Sequence, residues 1–239
     1  MYKNTVIVSS DYEDPGFLAA FERATGREVW RTPRPKRNSF SSPIVGRVAG
    51  RDQLLLSGGD VVASYDPNNG RQLWSAPGTT NATCGTMIWE GDLVFASGGY
   101  PKSETIAVLA DGSGKVAWRN TVKCYEQSML AYQGCIYAIN DGGIAFCWDA
   151  KTGEQMWKTR LGGPVSSSPI LAAGNIYAAN ERGTMFVFRA TPDGYQAVAQ
   201  NQLGDEAFVT PTICGSRIYL RAASSSSGRR QETLYCLGN

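Results

Sequence analysis

A nine-residue phrase that ends in tryptophan recurs along the chain and constrains its fold more than any other feature. In each copy a glycine stands four residues before the tryptophan, and the tryptophans are 44, 44 and 39 residues apart. The pairs are Gly26 and Trp30, Gly70 and Trp74, Gly114 and Trp118, and Gly153 and Trp157. A weaker fifth copy places Val198 at the tryptophan position. A repeat of about 40 residues with four strand-like segments predicts an all-β fold, the β-propeller.

Each repeat contains short apolar or alternating segments separated by Gly, Asn and Asp, which is typical of four-stranded antiparallel blades. The fourth repeat is clearest, with strands predicted at 127–131, 135–139, 144–148 and 154–158. The same template predicts one propeller domain over residues 1–239. Its blades fall at about 3–34, 40–76, 83–121, 124–160, 165–202 and 207–237.

The first and last blades are incomplete in this template, because the first has no inner strand and the last has no outer strand. Six blades of this kind contain 22 strands in total. An unclosed propeller exposes strand edges and apolar blade faces. We therefore expect these residues to form part of a seven- or eight-bladed ring whose other strands lie outside them.

Composition argues against several classes of function. A net charge of +2, with the basic residues spread through the turns, gives no strong field toward nucleic acid or an anionic membrane. No apolar run is long enough to span a bilayer, and Met1–Ser10 lacks the apolar core of a secretion signal. The chain has no histidine, which excludes Ser-His-Asp and Cys-His catalysis and every histidine metal site.

The six cysteines include neither an adjacent pair nor a Cys-x-x-Cys pair, so the sequence predicts no zinc ribbon. Most of them are expected to be small core side chains. A disulfide between Cys135 and Cys147, which flank a predicted hairpin, is the alternative for that pair.

Several groups of residues are candidates for function. The glycine and tryptophan pairs are interpreted as structural, because a large aromatic ring on the outer strand can dock on the neighbouring blade. A basic connector after the first blade is either a solvated loop or a partner-binding loop, and its residues are Arg31, Arg34, Lys36 and Arg37. Longer loops at 11–16 and 98–103 indicate that ligand choice resides at the rim. Residues 224–231 are predicted to form a flexible polar hairpin loop in the last blade.

Paired carboxylates could instead support glycoside hydrolysis, although sequence spacing cannot reveal pairs drawn from different blades. The candidate carboxylates are Asp11, Glu13, Asp14, Glu126, Glu181 and Asp205. Each is also explained as a solvated loop residue.

The phrases Asp66–Trp74 and Asp149–Trp157 resemble the tryptophan-docking motif of the PQQ-like repeat family. Ser41-Ser-Pro43 and Ser166-Ser-Ser-Pro169 are similar to segments of its bacterial secreted members. The resemblance covers nearly the whole chain. It implies a propeller, typically of eight blades, and a periplasmic or extracellular location.

The family resemblance implies two classes of activity. One class comprises dehydrogenases that hold pyrroloquinoline quinone and Ca²⁺, with an adjacent cysteine pair or an active-site histidine, and this chain has neither feature. The other class comprises scaffolds that bind protein partners. We therefore expect a non-enzymatic scaffold of the bacterial envelope or extracellular space, without quinone or calcium. The alternatives are a dehydrogenase-like propeller and a carbohydrate-active or glycan-binding one.

Overall fold

The structure is a computed structural model that describes residues 1–12, 16–34, 36, 39–226 and 228–238. Within these residues, 22 β-strands form six antiparallel sheets, four of four strands and two of three. Strands follow one another in chain order within every sheet. The fold is therefore the predicted all-β propeller of about six blades.

The chain divides into two compact units, Met1–Tyr125 with Ala150–Gly153, and Glu126–Asp149 with Glu154–Asn239. The division into one domain with the predicted blade limits stays a prediction. The strands up to Tyr125 are β1 (Thr5–Ser10), β2 (Gly16–Glu22), β3 (Glu28–Arg34), β4 (Ile44–Val48), β5 (Arg51–Ser57), β6 (Val61–Tyr65), β7 (Gln72–Pro77), β8 (Ile88–Glu90), β9 (Leu93–Gly98), β10 (Glu104–Leu109) and β11 (Val116–Asn120).

The later strands belong to three further sheets, of which the last has three strands. They are β12 (Leu130–Tyr132), β13 (Cys135–Ile139), β14 (Ile144–Asp149), β15 (Gln155–Arg160), β16 (Ile170–Ala172), β17 (Asn175–Ala179), β18 (Thr184–Arg189), β19 (Ala197–Gln202), β20 (Thr212–Cys214), β21 (Arg217–Ser226) and β22 (Arg229–Leu237). Apolar cores lie between successive sheets, as where Leu18 of β2 packs with Leu54 and Leu56 of β5.

Inner strands begin at Ile44, Leu130, Ile170 and Thr212, and Leu130 lies three residues later than the start at 127 that the sequence predicted. The polar residues just before them bond elsewhere. Ser167 Oγ, for example, donates to the carbonyl of Ala179 at 2.7 Å. Proline also precedes three of these strands and has no N–H for a sheet ladder. The segments before the inner strands are therefore connectors with their own hydrogen bonds.

Three of the four repeated tryptophans donate their indole N–H to a carbonyl in the turn between the last two strands of the following sheet. Trp30 bonds to Pro67 at 3.2 Å, Trp118 to Ala150 at 2.9 Å and Trp157 to Thr191 at 2.8 Å. Burial of these rings against a turn uses both the apolar face and the polar N–H of the indole.

Trp74 reaches the next turn through an intermediate side chain. Its indole N–H donates to Gln53 Oε1 at 2.8 Å, and the amide of Gln53 donates to the carbonyl of Ala110 at 2.8 Å. Gln53 is fully buried, so this relay satisfies polar groups that burial would otherwise leave unpaired. Gly114 packs against the carbonyl of Ser75 rather than against a tryptophan ring.

The residue before each tryptophan is a β-bulge, which the sequence did not reveal. The register between the third and outer strands shifts there in five sheets, for example between Cys147 and Trp148 opposite Trp157. A bulge re-aims the side chains beside it.

In the fifth repeat Val198 occupies the bulge and Ala199 the tryptophan position, which corrects the predicted register of that repeat. The turn before the outer strand is longer in the fifth repeat than in the fourth. In the fifth repeat the N–H of Arg189 donates to the carbonyl of Gln196, whereas in the fourth the N–H of Asp149 donates to the carbonyl of Glu154.

Residues 224–231 form the predicted hairpin end, and strand pairing in it extends to Ser226 and Arg229. Ser224 pairs with Gln231 and Ser225 with Arg230, and Ser227 lies outside the described residues. Arg230 binds Glu206 at 2.7 Å and Glu232 at 2.7 Å, while the N–H of Ser225 donates to Asp205 at 2.7 Å. These charged partners hold a segment whose composition alone suggested flexibility.

Candidate partner-binding rim

One end of the first unit carries the long connections predicted to hold ligand specificity. In an antiparallel blade the start of the inner strand lies beside the end of the second strand, as Ile44 pairs with Leu55 near the end of β5. The loops after second strands and the connectors before inner strands therefore meet at the same rim. In the first unit the described residues of these segments are 11–12, 36, 39–43, 58–60, 78–87, 99–103 and 121–125.

Three large aromatic side chains on this rim are exposed. Tyr12 is 67% exposed, Phe40 59% and Tyr100 66%. They come from three different connections, and Tyr12 and Phe40 line the same groove. We call the surface formed by Tyr12, Phe40 and Tyr100 the aromatic rim. Exposed aromatic clusters of this kind are characteristic of protein interfaces.

Hydrogen bonds between connections hold the aromatic rim in place. The N–H of Phe40 donates to the carbonyl of Thr83 at 2.8 Å, and the N–H of Ala82 donates to the carbonyl of Tyr100 at 3.1 Å. The segment 82–83 therefore links two of the three aromatic positions. Because backbone bonds fix both loops, the two rings are presented on an ordered surface.

Arg34 lies in the interior, which corrects its placement in the predicted exposed loop. Its Nε and Nη2 atoms donate to the Asp11 carboxylate at 2.6 and 2.8 Å, and its Nη1 donates to the Tyr65 hydroxyl. The side chains of Arg34 and Asp11 are only 4% and 3% exposed. The third strand continues past Trp30 to Arg34, whose partner in the register is Gly16, so the sheet itself carries this guanidinium inward.

The other predicted loop residues have separate environments. Arg31 binds Glu28 at 2.6 Å, and its guanidinium stands 4.0 Å from the centre of the Phe17 ring. Lys36 is exposed, and Arg37 lies outside the described residues. Lys102 is also exposed on the aromatic rim, and Lys123 stands 5.8 Å from the Tyr125 ring. Of the predicted partner loop, Lys36 is therefore exposed at the rim. Arg34 is buried and binds Asp11, the residue before Tyr12.

Three of the six candidate carboxylates are engaged in structural contacts. Asp11 binds Arg34, Glu181 accepts a hydrogen bond from Ser166 at 2.6 Å, and Asp205 accepts one from the N–H of Ser225. Glu126 is exposed, while Glu13 and Asp14 lie outside the described residues. Among the described residues, no group of three or more Cys, Asp or Glu side chains is arranged to hold a metal ion.

The alternative disulfide between Cys135 and Cys147 is not formed, because both cysteines are free and buried. Cys147 pairs with Tyr137 and Cys135 with Asp149, so the two cysteines are diagonal neighbours in the hairpin and their thiols are within hydrogen-bonding reach. Cys124 is buried as well, in agreement with a core role. Burial raises the pKa of the Cys147 thiol to about 12. Cys214 and Cys236 are exposed instead, on the three-stranded sheet.

Cys236 is expected to be the more reactive of the two exposed thiols. Arg217 Nη1 donates to its sulfur at 3.5 Å, and this hydrogen bond lowers the pKa of Cys236. Arg217→Gln should slow iodoacetamide alkylation of Cys236 several-fold at pH 7.5 and leave Cys147 slow, because the thiolate is the nucleophile. Peptide mass spectrometry after timed alkylation measures both rates. An unchanged Cys236 rate in the variant would contradict this assignment.

A chain of hydroxyl groups links the connectors before successive inner strands. The N–H of Ser128 donates to Ser168 Oγ at 2.9 Å, and the N–H of Ser168 donates to Thr210 Oγ1 at 3.0 Å. The same position holds Ser42 before β4 and Thr86 before β8. In the sequence these connectors are marked by a Ser or Thr two residues before each inner strand. The tryptophan phrase does not indicate this position, because the hydroxyl residue lies outside the phrase.

No helix in the described part of the chain is long and apolar enough to cross a membrane.

Comparison with known proteins finds similarity to one family over most of the chain. The family model for outer membrane protein assembly factor BamB matches residues 14–119 and 102–197. The BamB of Legionella pneumophila (strain Paris) is 22% identical over 116 residues, which are 48% of this chain and 29% of that protein. Serine/threonine-protein kinase AfsK of Streptomyces griseus is 23% identical over 176 residues, 68% of this chain and 21% of that protein. The chain thus spans less than a third of these curated relatives.

Solved structures share the fold. The crystal structure of BamB from Moraxella catarrhalis superposes with a TM-score of 0.73 at 14% identity, over 93% of this chain and 68% of that one. Quinohemoprotein alcohol dehydrogenase from Comamonas testosteroni gives a TM-score of 0.72 at 11% identity, over 93% of this chain and 50% of that one. At such low identities the likeness extends to the architecture alone.

Proposed function

Because the chain belongs to the family of outer membrane protein assembly factor BamB, we propose that it is a non-catalytic propeller scaffold that binds a protein partner in outer-membrane assembly. The observation that carries the proposal is the aromatic rim, where Tyr12, Phe40 and Tyr100 are exposed and backbone hydrogen bonds hold the connections of Phe40 and Tyr100. We place the protein in the periplasm or another compartment of the bacterial envelope.

A protein partner suits this surface because large aromatic side chains supply most of the binding energy at many interfaces. The neighbouring Lys36 and Lys102 add exposed positive charges that can pair with carboxylates of a partner at the edge of the contact. The aromatic residues of the rim need little reordering where backbone bonds already fix their loops, which limits the entropy cost of association.

The proposal includes no quinone, calcium ion or nucleic acid. The sequence has neither the adjacent cysteine pair nor the histidine that the family resemblance associates with quinone, and the net charge is only +2. A glycan remains an alternative ligand, since aromatic rings also stack on sugars. A glycan array with the intact chain would separate that ligand from a protein.

Replacing the three rim aromatics tests the proposal. We expect a Tyr12→Ser, Phe40→Ser and Tyr100→Ser variant to lose a protein that the unaltered chain captures from bacterial envelope extract. Each single replacement should weaken binding about tenfold, in line with a loss of about 1.4 kcal/mol per aromatic anchor. Affinity capture followed by titration of the identified partner measures the effect.

A control variant removes exposed apolar side chains away from the aromatic rim. Val29 and Val198 are 45% and 50% exposed, both at bulges of outer strands. A Val29→Ser and Val198→Ser variant should retain the captured partner. Equal capture by the rim variant and the control would refute the aromatic rim as the binding surface.

A further inference from the structure

A polar pocket of about 290 Å³ lies between the sheet of β4–β7 and the sheet of β8–β11 in the first unit. It is lined by residues of four segments, Asp60, Pro77–Thr80, Lys102–Glu104 and Arg119. The first two segments follow β5 and end β7, and the other two precede β10 and end β11. The three residues of the aromatic rim are not part of this lining. A pocket of this size admits a small polar group rather than a large ligand.

One buried hydroxyl in the lining has no hydrogen-bond partner among the described residues. Thr80 is only 7% exposed, and its Oγ1 is fully enclosed without a donor or acceptor beside it. A buried polar atom without a partner costs free energy, so such atoms are usually satisfied by protein, water or ligand. Because Thr80 lines the pocket, a group bound there can supply the missing hydrogen bond.

The connector that carries Thr80 has an unusual backbone conformation. Thr79 has a φ of +48°, in a region that β-branched residues rarely adopt. Its N–H donates to Glu104 Oε2 at 2.7 Å, and the N–H of Gly78 donates to the carbonyl of Asp60 at 3.2 Å. Strained residues persist where surrounding contacts fix them, and they cluster at ligand sites. The connector therefore forms a fixed wall of the pocket.

The lining has more unused hydrogen-bond donors than unused acceptors. Both oxygens of Glu104 are engaged, one by the N–H of Thr79 and the other by Arg119 Nη1 at 3.1 Å. A guanidinium has five N–H donors and an ammonium has three. Arg119 uses one of its five on Glu104, and Lys102 is exposed and takes part in no ion pair of the described residues. A ligand that fits this pocket must therefore supply acceptor oxygens.

The charges of the lining favour a carboxylate as that acceptor. Lys102 and Arg119 are positive, and Asp60 and Glu104 are negative. Glu104 is paired with Arg119, so Asp60 is the acidic group that acts against an anion. A singly charged, planar carboxylate matches the donor fork of a guanidinium. A more highly charged phosphate would meet stronger repulsion from Asp60.

We propose that this pocket binds a carboxylate, for which Lys102 and Arg119 supply charged donors and the Thr80 hydroxyl supplies a third hydrogen bond. The carboxylate belongs either to an acidic side chain of a partner polypeptide or to a free organic acid. The two sources share one chemistry, and partner capture separates them. The inference does not depend on the proposed function, because a small carboxylate can occupy the site without a partner.

A model carboxylate tests the pocket directly. N-acetylglutamate N-methylamide should shift the backbone amide resonances of residues 78–80 and 102–104 of the full chain saturably in NMR titration. The corresponding glutamine derivative should bind about tenfold more weakly, because hydrogen bonds to charged groups are the stronger ones. Sodium phosphate should also bind more weakly. Absence of saturable shifts, equal affinity for the two derivatives, or tighter binding of phosphate would overturn the proposal.

Two variants that each remove one charge should act in opposite directions. Lys102→Gln should weaken the glutamate derivative several-fold, because it removes a charged donor. Asp60→Asn should strengthen binding several-fold, because it removes the repulsion and keeps a residue type that tolerates the φ of +66°. Lys115→Gln, at an exposed position before β11, is the matched control and should leave the affinity unchanged. Changes in the same direction at Lys102 and Asp60 would contradict the proposed electrostatics.

Thr80→Val separates a ligand-binding hydroxyl from one that serves folding. Valine replaces the hydroxyl by a methyl group of similar size. Removing an unpaired buried hydroxyl should leave the midpoint of urea denaturation unchanged or higher. The same variant should bind the glutamate derivative several-fold more weakly. A lower midpoint with unchanged binding would show that Thr80 has no part in the site.

Partner capture identifies the source of the carboxylate. If a partner supplies it, Thr80→Val should lower capture from envelope extract together with binding of the glutamate derivative. If a free acid supplies it, capture should stay unchanged while binding of the derivative weakens. Retention of the partner by the aromatic-rim variant would reject the proposed function and leave the pocket proposal intact, because the NMR titration involves no partner. Failure of the titration with normal aromatic-dependent capture would reject the pocket proposal alone.

Discussion

Replacing Arg34 by alanine is expected to lower the free energy of unfolding by about 3–5 kcal/mol. The guanidinium is buried with both oxygens of Asp11, and it also donates to Tyr65 of the neighbouring sheet. Truncation would leave a carboxylate in the interior without a counter-charge, which costs more than an exposed ion pair contributes. From the sequence, Arg34 was instead expected in a connector that is exposed either to solvent or to a partner.

Urea denaturation followed by circular dichroism measures this effect. Arg31→Ala is the matched control on the same strand, because Arg31 and Glu28 form an ion pair whose side chains are 40% and 41% exposed. The control should lose about 1 kcal/mol or less, from its ion pair and its contact with Phe17. Similar losses in both variants would show that the Arg34 pair is not a buried support.

The Arg34 variant should also weaken the binding surface. Asp11, the partner of Arg34, precedes Tyr12 of the aromatic rim. Loss of the ion pair between Arg34 and Asp11 should therefore reduce both partner capture and the free energy of unfolding. Tyr12→Ser should reduce partner capture alone. The two readouts separate a residue that supports the rim from one that contacts the partner.

Replacing Gly70 by alanine is expected to cost about 3 kcal/mol, the second largest effect. Gly70 has a φ of +74°, and a Cβ added there would lie 2.5 Å from Cε3 of the docked Trp30 ring. A left-handed conformation costs an alanine about 1–2 kcal/mol. Overpacking a docked ring adds about 1–3 kcal/mol. The glycine therefore serves both the turn and the close approach of the tryptophan.

Gly26 provides a control with nearly the same backbone. Its φ is +73°, and nothing lies within 4 Å of an added Cβ. Gly26→Ala should therefore cost only the conformational part, about 1–2 kcal/mol. The difference between the two variants in urea denaturation measures the close contact of Gly70 with Trp30 and Thr32. Equal costs for Gly26→Ala and Gly70→Ala would mean that this close contact contributes nothing.

The sequence predicted much of the architecture because the repeat is local. Each Gly-x-x-x-Trp phrase combines a turn, an outer strand and an aromatic ring within nine residues, and Gly, Asn and Asp mark the other turns. The 22 strands expected from this pattern match the 22 described in the structure. Boundaries were less accurate where polar connectors precede inner strands, since alternating side chains do not reveal where a connector stops and a sheet ladder begins.

The candidate site was predicted only in part. The sequence indicated that ligand choice resides in the longer loops at 11–16 and 98–103, and this stays a prediction. Burial of Arg34 could not be predicted, because its partners Asp11 and Tyr65 are 23 and 31 residues away and approach it only when two sheets pack. The bulge that moves Val198 away from the tryptophan position likewise depends on pairing with another strand.

The sequence by itself determined the repeating unit, its turns and the tryptophan side chain that docks on the next blade, because these depend on residues close together in the chain. Only the tertiary structure decided which charges are buried, which aromatic residues share a rim and which polar side chains line a pocket. Those properties depend on contacts between sheets. A periodic sequence pattern predicts how far apart the sheets recur along the chain, but it does not predict which residues of different sheets contact each other.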